Sequence, residues 1–137
     1  MAILISFETS KLDIASEQPN PFNPIAGESA VIWLREHVLG SEYTSTEPAA
    51  EDWGWCIDVS NSESGYLVGS IAHPDEDDES NPDVEWMIQV ERSRSFKEKL
   101  LGRNKMTPDD PLVVMIAAAL TASDDFRNVA VEGDGRG

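Results

Sequence analysis

The chain has 137 residues, enough for one buried core and too few for two. Hydrophobic residues make up 40% of it and four are Trp, so burial can offset the entropy of ordering and a disordered chain is excluded. Against 26 Asp and Glu stand 10 Lys and Arg, a formal net charge of −16 that repels nucleic-acid phosphate and anionic lipid and so excludes direct binding to either.

Residues 2 to 7 alternate, with Ile3, Ile5 and Phe7 on one side and Ala2, Leu4 and Ser6 on the other, which predicts a strand buried on both faces. The segment from Glu8 to Phe22 is polar and ends in Pro19-Asn20-Pro21, loop chemistry. Val31, Leu34 and Val38 recur at helical spacing up to Gly40, predicting a helix over 28–39. Ser41 to Asp52 reads as a polar, acidic connection. Trp53, Trp55, Ile57 and Val59 then share one phase of a strand, and Asn61 to Gly65 supplies a turn into a second strand over 66–72. The acidic run Asp75-Glu76-Asp77-Asp78-Glu79 separates this hairpin from a third alternating stretch, Val84, Trp86, Ile88 and Val90, completing a meander over 52–91. Ser95 and Glu98 match a capping box for a short helix ended by Gly102, and Thr107 to Pro111 opens another through Ala122 with Leu112, Ile116 and Leu120 in one stripe. Val129 to Glu132 predicts a last strand.

Consecutive strands without intervening helices argue for α+β: a two-layer sandwich, mostly antiparallel sheet in the order β-α-β-β-β-α-α-β, with the helices packed on one face. Residues 1–132 form one domain and 133–137 a flexible C-terminal tail. Trp53, Trp55 and Trp86 share the phase that faces the helices, where they pack the core with Trp33. No basic leader precedes the first apolar residues, and the longest apolar run, Pro111 to Leu120, is half of the roughly 20 residues that cross a bilayer. A cytoplasmic protein without a membrane partner is expected.

Motifs for chemistry are absent. Cys56 is the only cysteine, which leaves no intramolecular disulfide and no thiolate cluster for zinc. Counting a calcium loop from Asp75 puts Ser80 at the turn glycine and Trp86 at the bidentate glutamate, so the acidic run reads as solvated and no metal is assigned. A Cys56/His73 nucleophile fails on hairpin arithmetic. If Ser60 faces Gly65 or Tyr66, Cys56 faces Gly69 or Ser70 and His73 lies roughly 10 Å further along the strand. With no phosphate loop, nucleophile elbow or His-Glu-x-x-His pair, no catalytic residue and no cofactor are assigned.

Charge is the informative feature. Residues 92–105 hold six cations against Glu98 alone, a net of +5 that leaves −21 on the rest of the chain. Arg103 and Lys105 tip a possible basic hook, for which internal pairing with the acidic loops is the competing explanation. In charge and size alone the chain is similar to the inhibitor and immunity proteins that neutralise basic toxins or nucleic-acid-binding proteins. The leading expectation is a non-enzymatic interaction module, inhibitor-like or adaptor, docking a basic protein partner through acidic loops. Glu47, Glu51, Asp52, Asp75, Glu76, Asp77, Asp78 and Glu79 steer the encounter, and an exposed Tyr43 or Tyr66 anchors it. The alternative is a small-molecule binding domain, or an enzyme without a recognisable motif, with a Trp-lined pocket between sheet and helices. Oligomeric state is not encoded in any pattern of the sequence.

Overall fold

In the computed structural model, which describes residues 2–12, 17–18, 20–22, 26–62, 64–73, 84–93, 101 and 107–133, the first alternating stretch is strand β1 (Ile3–Thr9). Its Ile3, Ile5, Phe7 and Thr9 are buried, whereas Leu4, Ser6 and Glu8 are half-buried. The strand thus has one core face rather than the two expected, because the helices meet the sheet on the Ile5 side. Helix α1 (Glu28–His37) follows, then the two short strands β2 (Thr44–Ser45) and β3 (Ala49–Glu51). The meander comes next as β4 (Gly54–Ser60), β5 (Gly65–His73) and β6 (Val84–Arg92), before helix α2 (Pro111–Thr121) and strand β7 (Arg127–Gly133).

All pairings are antiparallel, in the order β2-β4-β5-β6-β1-β7, with β3 beside β4 on the same edge as β2. The architecture is α+β: mostly antiparallel sheet with two helices among the described residues. The described elements run β-α-β-β-β-β-β-α-β, so the expected order lacked two strands. Those strands lie in 41–52, which the sequence reading took for a connection. Thr46 continues the ladder between them, its N–H reaching the Asp58 carbonyl at 3.0 Å, and Pro48, which has no N–H to donate, marks where pairing lapses before β3. Edge strands of two and three residues carry no alternation to read. The short helix expected over 95–102 falls outside the described residues except for Leu101. The last strand reaches Gly133, where the tail was expected to begin.

The hairpin register agrees with the arithmetic: Ser60 faces Gly65 and Cys56 faces Gly69. The core is one cluster drawn from a single face of the sheet and both helices. Ala30, Val31 and Leu34 come from α1, Leu112, Ile116 and Leu120 from α2, and Phe7, Ile57, Trp86 and Ile88 from the strands. Trp86 lies parallel to Phe7 at 6.4 Å between ring centroids, and Phe126 closes edge-on over Phe7 at 5.6 Å.

Trp53 departs from the expected phase. Trp55 and Trp86 are core residues, but Trp53 lies over Gly69, where a Cβ would come within 2.2 Å of its ring. Gly69 alternates with the core residues Val68 and Ser70, so this indole is on the opposite face. The cause is Gly54, whose φ of +155° breaks the alternation between the two tryptophans. A side chain there would also meet the Ser70 carbonyl oxygen at 2.6 Å. Trp33 packs at the rim of the core, 4.9 Å from Phe126, and stays half-buried. No helix among the described residues is long and apolar enough to cross a membrane.

Candidate functional site

Helix α1 starts hard against the sheet. Its N-cap is Gly27, where a Cβ would stand 2.3 Å from the Ser70 carbonyl oxygen, so only glycine fits. The entering chain substitutes for a strand: the Ala72 N–H donates to the Ala26 carbonyl at 2.9 Å and the Ser70 hydroxyl to the Gly27 carbonyl at 2.5 Å. Glycine has no side chain with which to cap, and the first N–H groups of a helix need acceptors. Glu17 supplies them from ten residues upstream. Its Oε1 accepts from the Gly27 and Glu28 N–H groups at 2.9 and 3.0 Å, and its Oε2 from the Ser29 N–H and hydroxyl at 2.9 and 2.5 Å. A carboxylate at this end also meets the positive pole of the helix.

With Ala30, Val31 and Leu34 turned into the core, the four-residue spacing of Glu28, Ile32 and Glu36 makes a second stripe. Two cavities flank it, and all three residues line both. The first, about 270 Å³, adds Leu12 and Trp33 as apolar wall, with Glu17 and Lys11 at its border. The second, about 540 Å³, lies between α1 and the β2–β3 edge, over Trp55 and Pro48, with Arg35, Glu47 and Gln18 as its polar lining. Both basic residues are already engaged. Arg35 grips Glu47 with two guanidinium bonds of 3.1 and 3.2 Å and the Ser45 hydroxyl at 3.0 Å. Lys11 pairs with Asp125 at 3.0 Å, which holds the Asp125 carboxyl below its usual range.

Glu28 differs from these neighbours. It is 8% exposed, yet among the described residues its carboxylate accepts only the Gln18 N–H, on Oε1 at 2.9 Å, and no ion pair reaches it. The Trp55 indole N–H, also buried, has no acceptor among the described residues.

The residues chosen from sequence fare unevenly. Glu47 is 84% exposed and its charge is tied to Arg35 rather than free for a partner. Glu51 takes the Cys56 thiol at 3.9 Å through its carboxylate, and its carbonyl accepts from the Asn20 amide at 2.8 Å. Asp52 is exposed in the turn joining β3 to β4. These three line the edge beside β4. Asp75, Glu76, Asp77, Asp78, Glu79, Arg103 and Lys105 lie outside the described residues.

Tyr43 and Tyr66, expected as exposed anchors, are core residues at 8% and 3% exposure. Tyr66 sits on the core phase of β5, and Tyr43 packs against it edge-on at 6.4 Å. The Tyr66 hydroxyl donates to Asp110 Oδ2 at 3.2 Å. Arg92 donates to the same oxygen at 3.4 Å, and the Leu112 N–H to Oδ1 at 2.9 Å. Burial and the Asp110 acceptor push the Tyr66 phenol up to about 12. This cluster caps α2 and ties it to the sheet; neither cavity reaches it. Arg92, counted with the basic segment, is therefore paired internally, with the Ser64 hydroxyl at 2.5 Å as a further acceptor.

Burial, with Glu51 and Asp58 nearby, pushes the Cys56 thiol up, away from the reactive thiolate. His73 is four residues along β5 from the partner of Cys56, roughly 13 Å at strand rise. Among the described residues no group of three or more His, Cys, Asp or Glu is placed to hold a metal ion. Comparison of the chain with protein-family models, with curated proteins and with solved structures gives no match.

Sequence reasoning missed Glu17 and Glu28. The spacing of Glu28, Ile32 and Glu36 was legible as a stripe. Nothing in the sequence marks Glu17 as the cap of a helix ten residues away.

Proposed function

We propose that the chain is a non-enzymatic protein-interaction module, inhibitor-like or adaptor in character, that docks a basic protein partner along α1. In this reading it is a cytoplasmic, two-layer α+β domain whose net charge of −16 steers the encounter and whose α1 face makes the specific contact. The observation that carries the proposal is the Glu28-Ile32-Glu36 stripe with a cavity on either side, where both bordering cations are already paired within the fold. The apolar walls offer area to bury, and the carboxylates repel acidic competitors. Glu47, Glu51 and Asp52 on the neighbouring edge, with the acidic run 75–79, add to the field rather than to the contact.

Binding of a basic amphipathic peptide, followed by amide chemical shifts at low and high salt, tests this. Shifts centred on Ile32 and Glu36 that weaken with salt, together with loss of affinity in the charge-neutral I32S variant, are expected. Shifts spread evenly over Asp58, Glu85 and the other exposed acids, with I32S binding like wild type, overturn it.

A second reading has its own support in the tryptophans of the two cavities, Trp33 in one and Trp55 in the other. Cavities of this size suit a small organic ligand. The first lies beside α1 and the second between α1 and the β2–β3 edge. Quenching of Trp fluorescence by neutral metabolites but not by basic peptides would favour that reading.

A further inference from the structure

The geometry points to Glu28 as the cation-recognition residue of this surface, receiving a guanidinium or ammonium side chain of the basic partner inserted into the cavity between Leu12, Ile32 and Trp33. The inference rests on the docking reading and names the contact within it. A buried carboxylate is costly unless it is paired or well hydrogen-bonded. Glu28 is one of two buried carboxylates among the described residues. The other, Asp110, has Arg92, Tyr66 and the α2 N-terminus as partners. Glu28 has a single backbone N–H, and its second oxygen accepts nothing among the described residues.

Its position in the first turn of α1 relieves part of that cost, but Glu17 already occupies the N–H groups there. The candidate counter-charges are elsewhere: Lys11 on Asp125, and Arg35 on Glu47. Among the described residues, the fold therefore keeps a buried carboxylate at the border of two cavities without a cation beside it. A long basic side chain fits both requirements, since its methylenes lie against apolar wall while its charged head reaches a carboxylate. Glu36, two helical turns along the same stripe and roughly 12 Å away, offers a second carboxylate for a neighbouring cation. An apolar residue between two basic ones then matches the Glu28-Ile32-Glu36 order.

The test uses the full chain, a capped tri-arginine peptide and its tri-citrulline counterpart, the same shape without charge. Calorimetry gives the affinity, and the indole N–H resonance of Trp33, identified with W33F, reports the cavity. The expected result is saturable movement of that resonance with the arginine peptide and none with citrulline, and at least a tenfold loss of affinity in E28Q. Glutamine keeps an acceptor for the Gln18 N–H, so E28Q is expected to fold, and the wild-type titration stands without it. Equal response to the two peptides, a stationary Trp33 resonance, or E28Q binding like wild type each overturns the assignment. If the amphipathic peptide still docks on Ile32 and Glu36 with the expected salt dependence while Trp33 and E28Q stay silent, Glu28 fails and the docking reading survives. If neither peptide binds, both fall.

Discussion

Replacing Asp110 by alanine tests whether the buried polar cluster holds the second helix to the sheet. Three bonds end on this carboxylate: the Leu112 N–H at 2.9 Å, the Tyr66 hydroxyl at 3.2 Å and Arg92 at 3.4 Å. Loss of the N-cap costs about 1 kcal/mol. The Tyr66 hydroxyl, 3% exposed as a residue, is left without its acceptor at a cost of about 1–3 kcal/mol. Arg92 retains Ser64 and enough exposure to reach water, so it adds little. The expected destabilisation of D110A is about 2–4 kcal/mol, a large part of a small domain's stability. Asn is a good N-cap and still accepts from Tyr66, so D110N loses only the charge-assisted share, about 1 kcal/mol. Urea unfolding followed by Trp fluorescence measures both. A D110A loss below about 1 kcal/mol, or equal losses in the two variants, refutes the cluster as the clamp.

Other expectations follow from single contacts. E17A, which strips four bonds from the start of α1, is expected to cost about 1–2 kcal/mol with no change at α2; amide exchange confined to residues 28–31 would show it. G54A meets the Ser70 carbonyl at 2.6 Å with φ at +155° and is expected to unfold the protein or cost over about 3 kcal/mol. G69A meets only the far end of the Trp53 indole and is expected to be far milder, with the change seen in Trp53 fluorescence. Tyr66 should make the fold alkali-sensitive. With the folded phenol at about 12 against 10.0 in the unfolded chain, its contribution is complete below pH 10 and is lost as the pH rises toward 12, by about 2–3 kcal/mol. Y66F should therefore show a flatter stability profile across that window. Cys56, buried and with its thiol pushed up, is expected to react with a disulfide reagent at pH 8 only as fast as the chain opens.

Alternation made the three meander strands legible, because a period of two fixes which residues can share a face, and the turn narrowed the partner of Cys56 to Gly69 or Ser70, of which the structure has Gly69. The same rule misled at Trp53, where one glycine with a positive φ reset the phase. It was silent on β2 and β3, whose few residues are held by an edge of β4 rather than by any pattern of their own. Tyr43 and Tyr66 were misplaced for a related reason. Tyrosine is amphipathic, and only the Asp110 acceptor, 44 residues beyond Tyr66, makes burying its hydroxyl tolerable.

The candidate site shows the same division between local and distant information. Net charge announced an acidic surface and said nothing of which acids are available. Glu47 is held by Arg35, Asp125 by Lys11, Asp110 by Arg92, and Glu17 by the start of α1. Each pairing joins residues 10 or more positions apart, so none follows from spacing. What distinguishes Glu28 is burial without a cation among the described residues, a property of three dimensions. In the proposed docking, the net charge draws a partner in from any direction and recognition occurs only where charge and apolar wall coincide. On this chain, among the described residues, they coincide along the solvent side of α1.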